Sequence, residues 1–133
     1  MPFWRFTQYV TDQPRCPIIE WYGTLEADAQ AAFDILCKVL SETEDWDEVK
    51  PNRRKYKELF KEHKGLSELL FNLGRRQFRP IGLLLRDRHE FLFLCGCIKT
   101  GRGTTDPPNA FSDALQLKIQ YEAGRGYTRD HTF

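Results

Sequence analysis

The sequence lacks any apolar run of the length needed to span a bilayer, which takes about 20 consecutive residues. Its opening segment, MPFWRFTQYV, has Arg5 inside the apolar run and contains no small-residue cleavage site. It therefore lacks the pattern of a secretory signal peptide. We expect a cytoplasmic protein that does not bind a membrane.

Paired metal-ligand motifs are also missing. The cysteines Cys16, Cys37, Cys95 and Cys97 form no C-x-x-C pair, and the three histidines are scattered along the chain. Cys95 and Cys97 lie two apart on a predicted strand and share one face, but no second Cys/His pair could complete a zinc site with them. We therefore expect buried free thiols, with neither a metal nor a cofactor.

A strong overall charge is lacking too, because the net charge is only +1. The two parts of the chain differ, however. Residues 1–64 carry 10 basic and 12 acidic side chains (net −2), whereas residues 65–133 carry 10 basic and 7 acidic ones (net +3). The length of 133 residues predicts a single domain over 1–133, with residues 124–133 as a tail that is either flexible or docked.

Hydrophobic periodicity predicts an α+β fold. A first strand over Phe3 to Val10 is followed by a short helix from Pro17 and by a longer one whose apolar stripe comprises Ala29, Ala32, Phe33, Leu36 and Leu40. A helical turn or two is expected near 53–63. Three strands follow at Leu66 to Leu73, Phe78 to Arg86 and Glu90 to Lys99, then a loop over Thr100 to Asp106 and a helix from Asp106-Pro107 to about Ala123. The last two strands are apolar on both faces, which predicts central strands covered on both sides.

Cations mark the ends of these strands, and this arrangement favours a polyanionic ligand. If the turns centre at Arg75-Arg76 and at Arg88, then Asn72, Arg79 and Cys97 form one row across the sheet, with Lys99 one diagonal step away. Arg79 lies near the end of an apolar strand face and needs a compensating partner. We consider two alternatives, a structural ion pair with Glu68 and a phosphate clamp.

Further basic residues cluster between Lys50 and Lys64 and in the predicted turn at Arg75 and Arg76. The basic run is either a solvated helix face or an edge that contacts phosphate. In the second case the candidate RNA-binding residues are Arg53, Arg54, Lys55, Arg75 and Arg76.

The order of elements (β-α-α-β-β-β-α, with an antiparallel sheet) resembles the RelE/ParE toxin superfamily, and three local motifs resemble its phage-derived, HigB-like branch. Gly65-Leu66-Ser67-Glu68-Leu69-Leu70 resembles the branch's run that enters the second strand. Phe78-Arg79 resembles its aromatic-arginine pair. Leu92 to Lys99, Pro107 or Pro108 and Ala114 resemble its leucine-rich strand and final helix. The likeness covers about residues 6–122.

The resemblance implies a type II toxin that cleaves messenger RNA on the ribosome, without a metal, and that is neutralised by an antitoxin of the helix-turn-helix type. It makes Arg79 the group that stabilises the transition state, with Lys99 and Arg102 binding phosphate or assisting proton transfer. Several relatives use a tyrosine or histidine near the C-terminus. Tyr127 and His131 are the candidates for that role here, although they lie beyond the matched region.

Four positions depart from the branch's pattern, which has an aromatic residue at Ser67, an arginine at Leu70, a phenylalanine at Cys97 and a lysine at Thr100. The two missing cations favour alternatives without catalysis. One is a ParE-like inhibitor of gyrase, and the other is a degenerate phage-derived protein that keeps only the fold.

Overall fold

The computed structural model describes residues 2–48 and 54–133. Its helices are α1 (Pro17–Thr24), α2 (Ala27–Ser41) and α3 (Ala110–Glu122). Its strands are β1 (Arg5–Val10), β2 (Tyr56–Glu58), β3 (Ser67–Leu69), β4 (Phe71–Leu73), β5 (Arg76–Leu85), β6 (Glu90–Gly101), β7 (Thr104–Asp106) and β8 (Tyr127–Asp130).

One sheet contains these eight strands in the order β2-β3-β5-β6-β1-β8, with β4 paired to β5 and β7 paired to β6. The predicted α+β class is confirmed. The prediction of an antiparallel sheet is wrong for one pair, because β1 runs parallel to β6. A parallel pair needs a long crossover connection, and the segment from α1 to β5 supplies it.

The core has two halves, one on each face of the sheet. Helices α1 and α2 cover the face that carries Phe6, Phe91 and Phe93. Helix α3 covers the other face through Ala110 and Ala114. The central strands β5 and β6 are therefore buried on both sides, as their continuous apolar sequence predicted.

Phe33 of α2 is the centre of the larger half-core. Its side chain is fully buried, and its ring contacts five other rings, those of Trp21, Tyr22, Phe71, Phe93 and His131. The predicted stripe of α2 is confirmed at Ala29, Phe33, Leu36 and Leu40, whereas Ala32 is only half-buried.

Two predicted segments have a different structure. Of the helical turn or two expected near 53–63, the described part of that range, 54–63, contains only a 3-10 turn at Lys61–His63, and strand β2 precedes it. Strand β2 pairs with β3 and forms an edge of the sheet. The strand expected over Leu66 to Leu73 is interrupted at Leu70, although β3 and β4 keep one register against β5.

The expected loop at Thr100 to Asp106 is instead a hairpin. Strand β6 continues to Gly101 and β7 pairs back onto it, with Gly103 at a φ of +75° in the turn. Because Asp106 belongs to β7, the last helix begins at Ala110 rather than at Pro107, and Asn109 is its N-cap.

The C-terminal tail is docked. Strand β8 pairs with β1 in antiparallel orientation and forms that edge of the sheet, and His131 follows it into the core. The tail satisfies the backbone groups of β1 that would otherwise form an open edge.

Candidate functional site

A row of polar side chains crosses the sheet near the start of β5. Arg79 lies opposite Cys97 and Gln77 lies opposite Lys99, so Lys99 is the diagonal neighbour of Arg79. This part of the predicted register is confirmed. Asn72, however, pairs with Gln77 and not with Arg79.

The position of one turn explains the difference. Gly74 and Arg75 form the two-residue turn between β4 and β5, and Gly74 has a φ of +59°. Glycine is favoured at the first position of such a hairpin turn because it adopts positive φ without strain. The centre therefore lies one residue earlier than predicted. This moves each cross-strand partner by two residues and leaves Asn72 and Arg79 on the same face.

Arg79 is buried, with 6% of its surface exposed. Its Nη1 donates to the carbonyl oxygen of Phe78 at 2.8 Å and to Oδ1 of Asn72 at 3.4 Å, and its Nη2 donates to Oε1 of Gln77 at 3.2 Å. Its Nε lies 4.0 Å from Oε1 of Glu68. The ion pair with Glu68 that we considered is therefore present, although its two groups are too far apart to form a hydrogen bond.

The sequence offered Glu68 only as an ion-pair partner of Arg79 and did not reveal that it is the buried carboxyl of the site. Only 3% of its surface is exposed, and its Oε2 has no hydrogen-bond partner in the part of the chain that the structure describes. Burial raises the pKa of Glu68, while the charges of Arg79, Lys99 and Lys57 oppose this shift. Burial likewise lowers the pKa of Arg79, against the opposing charge of Glu68. A buried carboxyl with a raised pKa beside a cavity is a candidate for proton transfer.

Each member of this ion pair lines a different surface cavity. One, of about 360 Å³, is lined by Glu68, Lys99, Lys57 and His63. The other, of about 590 Å³, is lined by Arg79, Asn72, Arg54, Lys55 and, again, Lys57. The fold thus brings together cations from β2, β5 and β6 around one buried carboxyl.

Three of the other predicted cations, Arg75, Arg76 and Arg102, line neither cavity. Arg102 is exposed in the turn between β6 and β7, and Arg75 is exposed in the turn before β5. The guanidinium of Arg76 stacks on the ring of Phe78 and lies 3.8 Å from the carboxylates of Glu26 and Asp28, so it holds the start of α2 against the sheet. Arg53 lies outside the described residues.

Tyr127 and His131 lie at the other edge of the sheet, where β8 is separated from β5 by β1 and β6. Tyr127 is half exposed, while His131 is buried against the rings of Phe33 and Phe93. Neither residue lines the two cationic cavities. Their position indicates a role in docking the tail.

A small polar network holds His131. When the amide of Gln8 is oriented so that its nitrogen donates to Nδ1 of His131 (2.9 Å), its oxygen accepts from Nε of Arg129 at 2.6 Å. The proton of the neutral ring then sits on Nε2, which is buried without a partner among the described residues. Burial lowers the pKa of His131 from 6.5 to about 4, against a smaller opposing effect of Asp34.

We expect the free energy of unfolding to fall as the pH falls through this window. The unfolded chain binds the proton at the ordinary pKa of 6.5, whereas the folded chain binds it only near pH 4. The contribution of neutral His131 is therefore complete above pH 6.5 and is lost progressively toward pH 4, up to about 3 kcal/mol. Urea unfolding between pH 7.5 and pH 4 measures the slope of the free energy of unfolding against pH. His131→Gln should flatten it and His63→Gln should not; an unchanged slope in His131→Gln contradicts the assignment.

The cysteines show no sign of a reactive or metal-bound thiol. All four are free, and burial raises the pKa of both Cys95 and Cys97 to about 12. Within residues 2–48 and 54–133, no cluster of three or more His, Cys, Asp or Glu side chains could hold a metal ion. Over the same residues, no helix combines the length and the apolar character that a membrane crossing requires.

Comparison with protein-family models, with curated proteins and with solved structures gives no match to this chain. The geometry of the site is therefore the main basis for a functional proposal.

Proposed function

We propose that the chain is the toxin of a type II toxin-antitoxin system and cleaves messenger RNA on the ribosome, in the cytoplasm. The observation that carries the proposal is the buried pair of Arg79 and Glu68, which faces two cavities lined with cations. The order of the sequence motifs that resemble the HigB-like branch supports it independently.

The proposed reaction is the attack of a ribose 2′-oxygen on the adjacent phosphorus, which breaks the bond to the 5′-oxygen of the next nucleotide. It leaves a 2′,3′-cyclic phosphate and a 5′-hydroxyl. The reaction needs a base for the 2′-hydroxyl proton, a cation for the charged phosphorane and an acid for the leaving oxygen.

The described side chains can meet these needs. Glu68, whose pKa is raised, serves as the base, and the guanidinium of Arg79 stabilises the phosphorane. The two groups lie 4.0 Å apart, with Glu68 lining one cationic cavity and Arg79 lining the other. Lys99 lines the cavity on the Glu68 side and binds a phosphate oxygen or protonates the leaving oxygen.

The test is cleavage of a messenger in a reconstituted translation reaction. We expect cuts that require ribosomes engaged on the message, that persist in EDTA added after the ribosomes have been trapped, and that carry 5′-hydroxyl ends. Naked RNA under the same conditions should remain intact. Cleavage that is equally fast without ribosomes, or no cleavage at all, contradicts the proposal.

Substitution of two of the predicted cations, Lys99 and Arg102, shows in the same assay where the phosphate binds. Lys99→Ala should lower the cleavage rate by roughly tenfold to 100-fold, because it removes a charge-assisted hydrogen bond to phosphate. Arg102→Ala should lower it by less than about threefold, since Arg102 is exposed and lines neither cationic cavity. Lys118→Ala is the matched control, because Lys118 pairs with Glu122 on α3 and lies outside both cavities. Equal losses in Lys99→Ala and Arg102→Ala would show that the phosphate binds elsewhere.

A second candidate function is inhibition of gyrase without catalysis. The observation that favours it is the loss of cations at Leu70 and Thr100. Thr100 is used instead to hold the β6–β7 hairpin, where its hydroxyl donates to Oγ1 of Thr104 at 3.0 Å. Inhibition of DNA supercoiling by a protein that leaves messenger intact would establish this alternative. A protein inactive in both assays would be a degenerate relative that keeps the fold alone.

The proposed partner is an antitoxin of the helix-turn-helix type that neutralises the toxin. Support for a protein partner comes from the larger cationic cavity, where exposed Ile35 and Val39 of α2 face Arg54 and Lys55. The neighbouring open reading frame is the candidate. Its product should co-purify with the toxin and suppress the cleavage described above.

A further inference from the structure

The central strand β6 has a gap in its pairing on the side away from β5. Strand β1 pairs with it from Glu90 to Phe93, and β7 pairs with it from Ile98 to Gly101. Among the described strands none lies beside residues 94–97 on that side, and the backbone hydrogen bonds of the described turns and loops do not reach them. Leu94 and Cys97 are fully buried, so the accessible part of this unpaired edge lies at Cys95 and Gly96, which line a cavity. Unpaired N–H and C=O groups of a strand can pair with an incoming chain.

A cavity of about 660 Å³ opens at this gap. Cys95 and Gly96 form its floor, Trp21 of α1 forms one wall, and Ala110 and Leu117 of α3 form the other. Because α1 and α3 pack on opposite faces of the sheet, the cavity runs along the sheet edge, as an added strand would. The slot is thus bordered by helices on both sides of that edge.

Gly96 keeps this wall in place. A Cβ at this position would lie only 2.2 Å from the indole ring of Trp21, so the close packing of the ring on the strand depends on glycine. Only 7% of the surface of Trp21 is exposed, and the residue is part of the cavity lining.

The charge on the rim of the cavity is negative. Arg15 and Glu20 neutralise each other in an ion pair of 2.6 Å. Asp106 and Asp113 also line the cavity, and neither has an ion-pair partner among the residues that the structure describes. The rim is thus complementary to a cationic ligand.

We propose that this gap is a docking slot for an extended segment of a partner protein that carries lysine or arginine. An extended chain in the cavity lies beside Cys95 and Gly96, the two residues of the unpaired stretch that line it. Backbone pairing supplies affinity, while alternating side chains reach Trp21 on one face and the carboxylates of Asp106 and Asp113 on the rim, which selects basic segments. Apart from Ala110, the slot shares no lining residue with the two cationic cavities, so the inference does not depend on RNA cleavage.

The proposal is tested by amide NMR of the full chain during titration with blocked pentapeptides. The peptides alternate valine and lysine and begin with either residue (VKVKV and KVKVK). We expect one of the two to give saturable shifts that are largest at the amides of residues 94–97 and at the indole N–H of Trp21. The same peptides with glutamate in place of lysine should bind at least tenfold more weakly.

The double variant Asp106→Asn/Asp113→Asn should weaken binding of the lysine peptide by roughly threefold to tenfold, as expected for two exposed charge pairs. The matched control Asp87→Asn, in the turn before β6, should leave it unchanged. Unshifted amides away from the cavity show that the variants are folded. The proposal is overturned by the absence of saturable shifts at residues 94–97 in millimolar peptide, by equal binding of the glutamate peptides, or by an unaffected double variant.

Discussion

Replacing Arg79 with glutamine is expected to lower ribosome-dependent messenger cleavage by about 10²–10³-fold, the loss typical of removing one preorganised group that stabilises transition-state charge. The neutral side chain keeps much of the length of arginine but cannot stabilise a phosphorane. Primer extension on the cleaved messenger measures the cleavage rates of the variant and the wild type at saturating ribosomes. The loss should appear in the rate at saturation, because the lost interaction forms mainly in the transition state.

Three further measurements separate catalysis from folding. Arg79→Lys keeps the charge but not the planar fork, and should retain more activity than Arg79→Gln. Arg86→Gln is the matched control, since Arg86 directly follows β5 but is exposed and pairs with Asp47 at 3.1 Å; its activity should equal that of the wild type. Urea unfolding reports whether each variant is folded at the assay temperature. A folded Arg79→Gln protein with unchanged cleavage would remove Arg79 from the mechanism.

Replacing Phe33 with alanine is expected to reduce the free energy of unfolding by about 3–5 kcal/mol. The ring is fully buried and contacts five other rings, so its removal leaves a cavity between α2 and the sheet that these rigid neighbours can fill only in part. Domains of this size are stable by only about 5–15 kcal/mol, and the variant should be close to unfolding at 37 °C. Urea unfolding at pH 7.5, followed by far-UV circular dichroism, measures the loss.

Ile35→Ala on the same helix is the matched control. Its side chain is 63% exposed, so the change should alter the free energy of unfolding by no more than about 0.5 kcal/mol. Similar effects of the two substitutions would mean that α2 is not held to the sheet through Phe33.

The candidate site was only partly predictable. The pairing of Arg79 with Cys97 agrees with the prediction through a compensation that the sequence does not show. Leu85 pairs with Glu90, so the turn centres between Asp87 and Arg88, and a register shift between Ile81 and Gly82 restores the predicted partners. The role of Glu68 did not follow, since a single glutamate in LSELL gives no indication of how deeply it is buried. The contribution of Lys57 from β2 was also missed, because Tyr56, Leu59 and Phe60 suggested a helix where the backbone pairs with β3.

Local sequence by itself determined the α+β class, the buried stripe of α2 and the central position of β5 and β6, since each depends on a periodicity of the chain's own side chains. Only the tertiary structure decided that β1 runs parallel to β6, that the tail docks as β8, and that Arg79 and Glu68 share one buried position. These features depend on backbone pairing and desolvation between segments far apart in the chain. Neither leaves a local pattern, because any strand can offer its edge to another and a charge meets its partner only when the sheet is assembled.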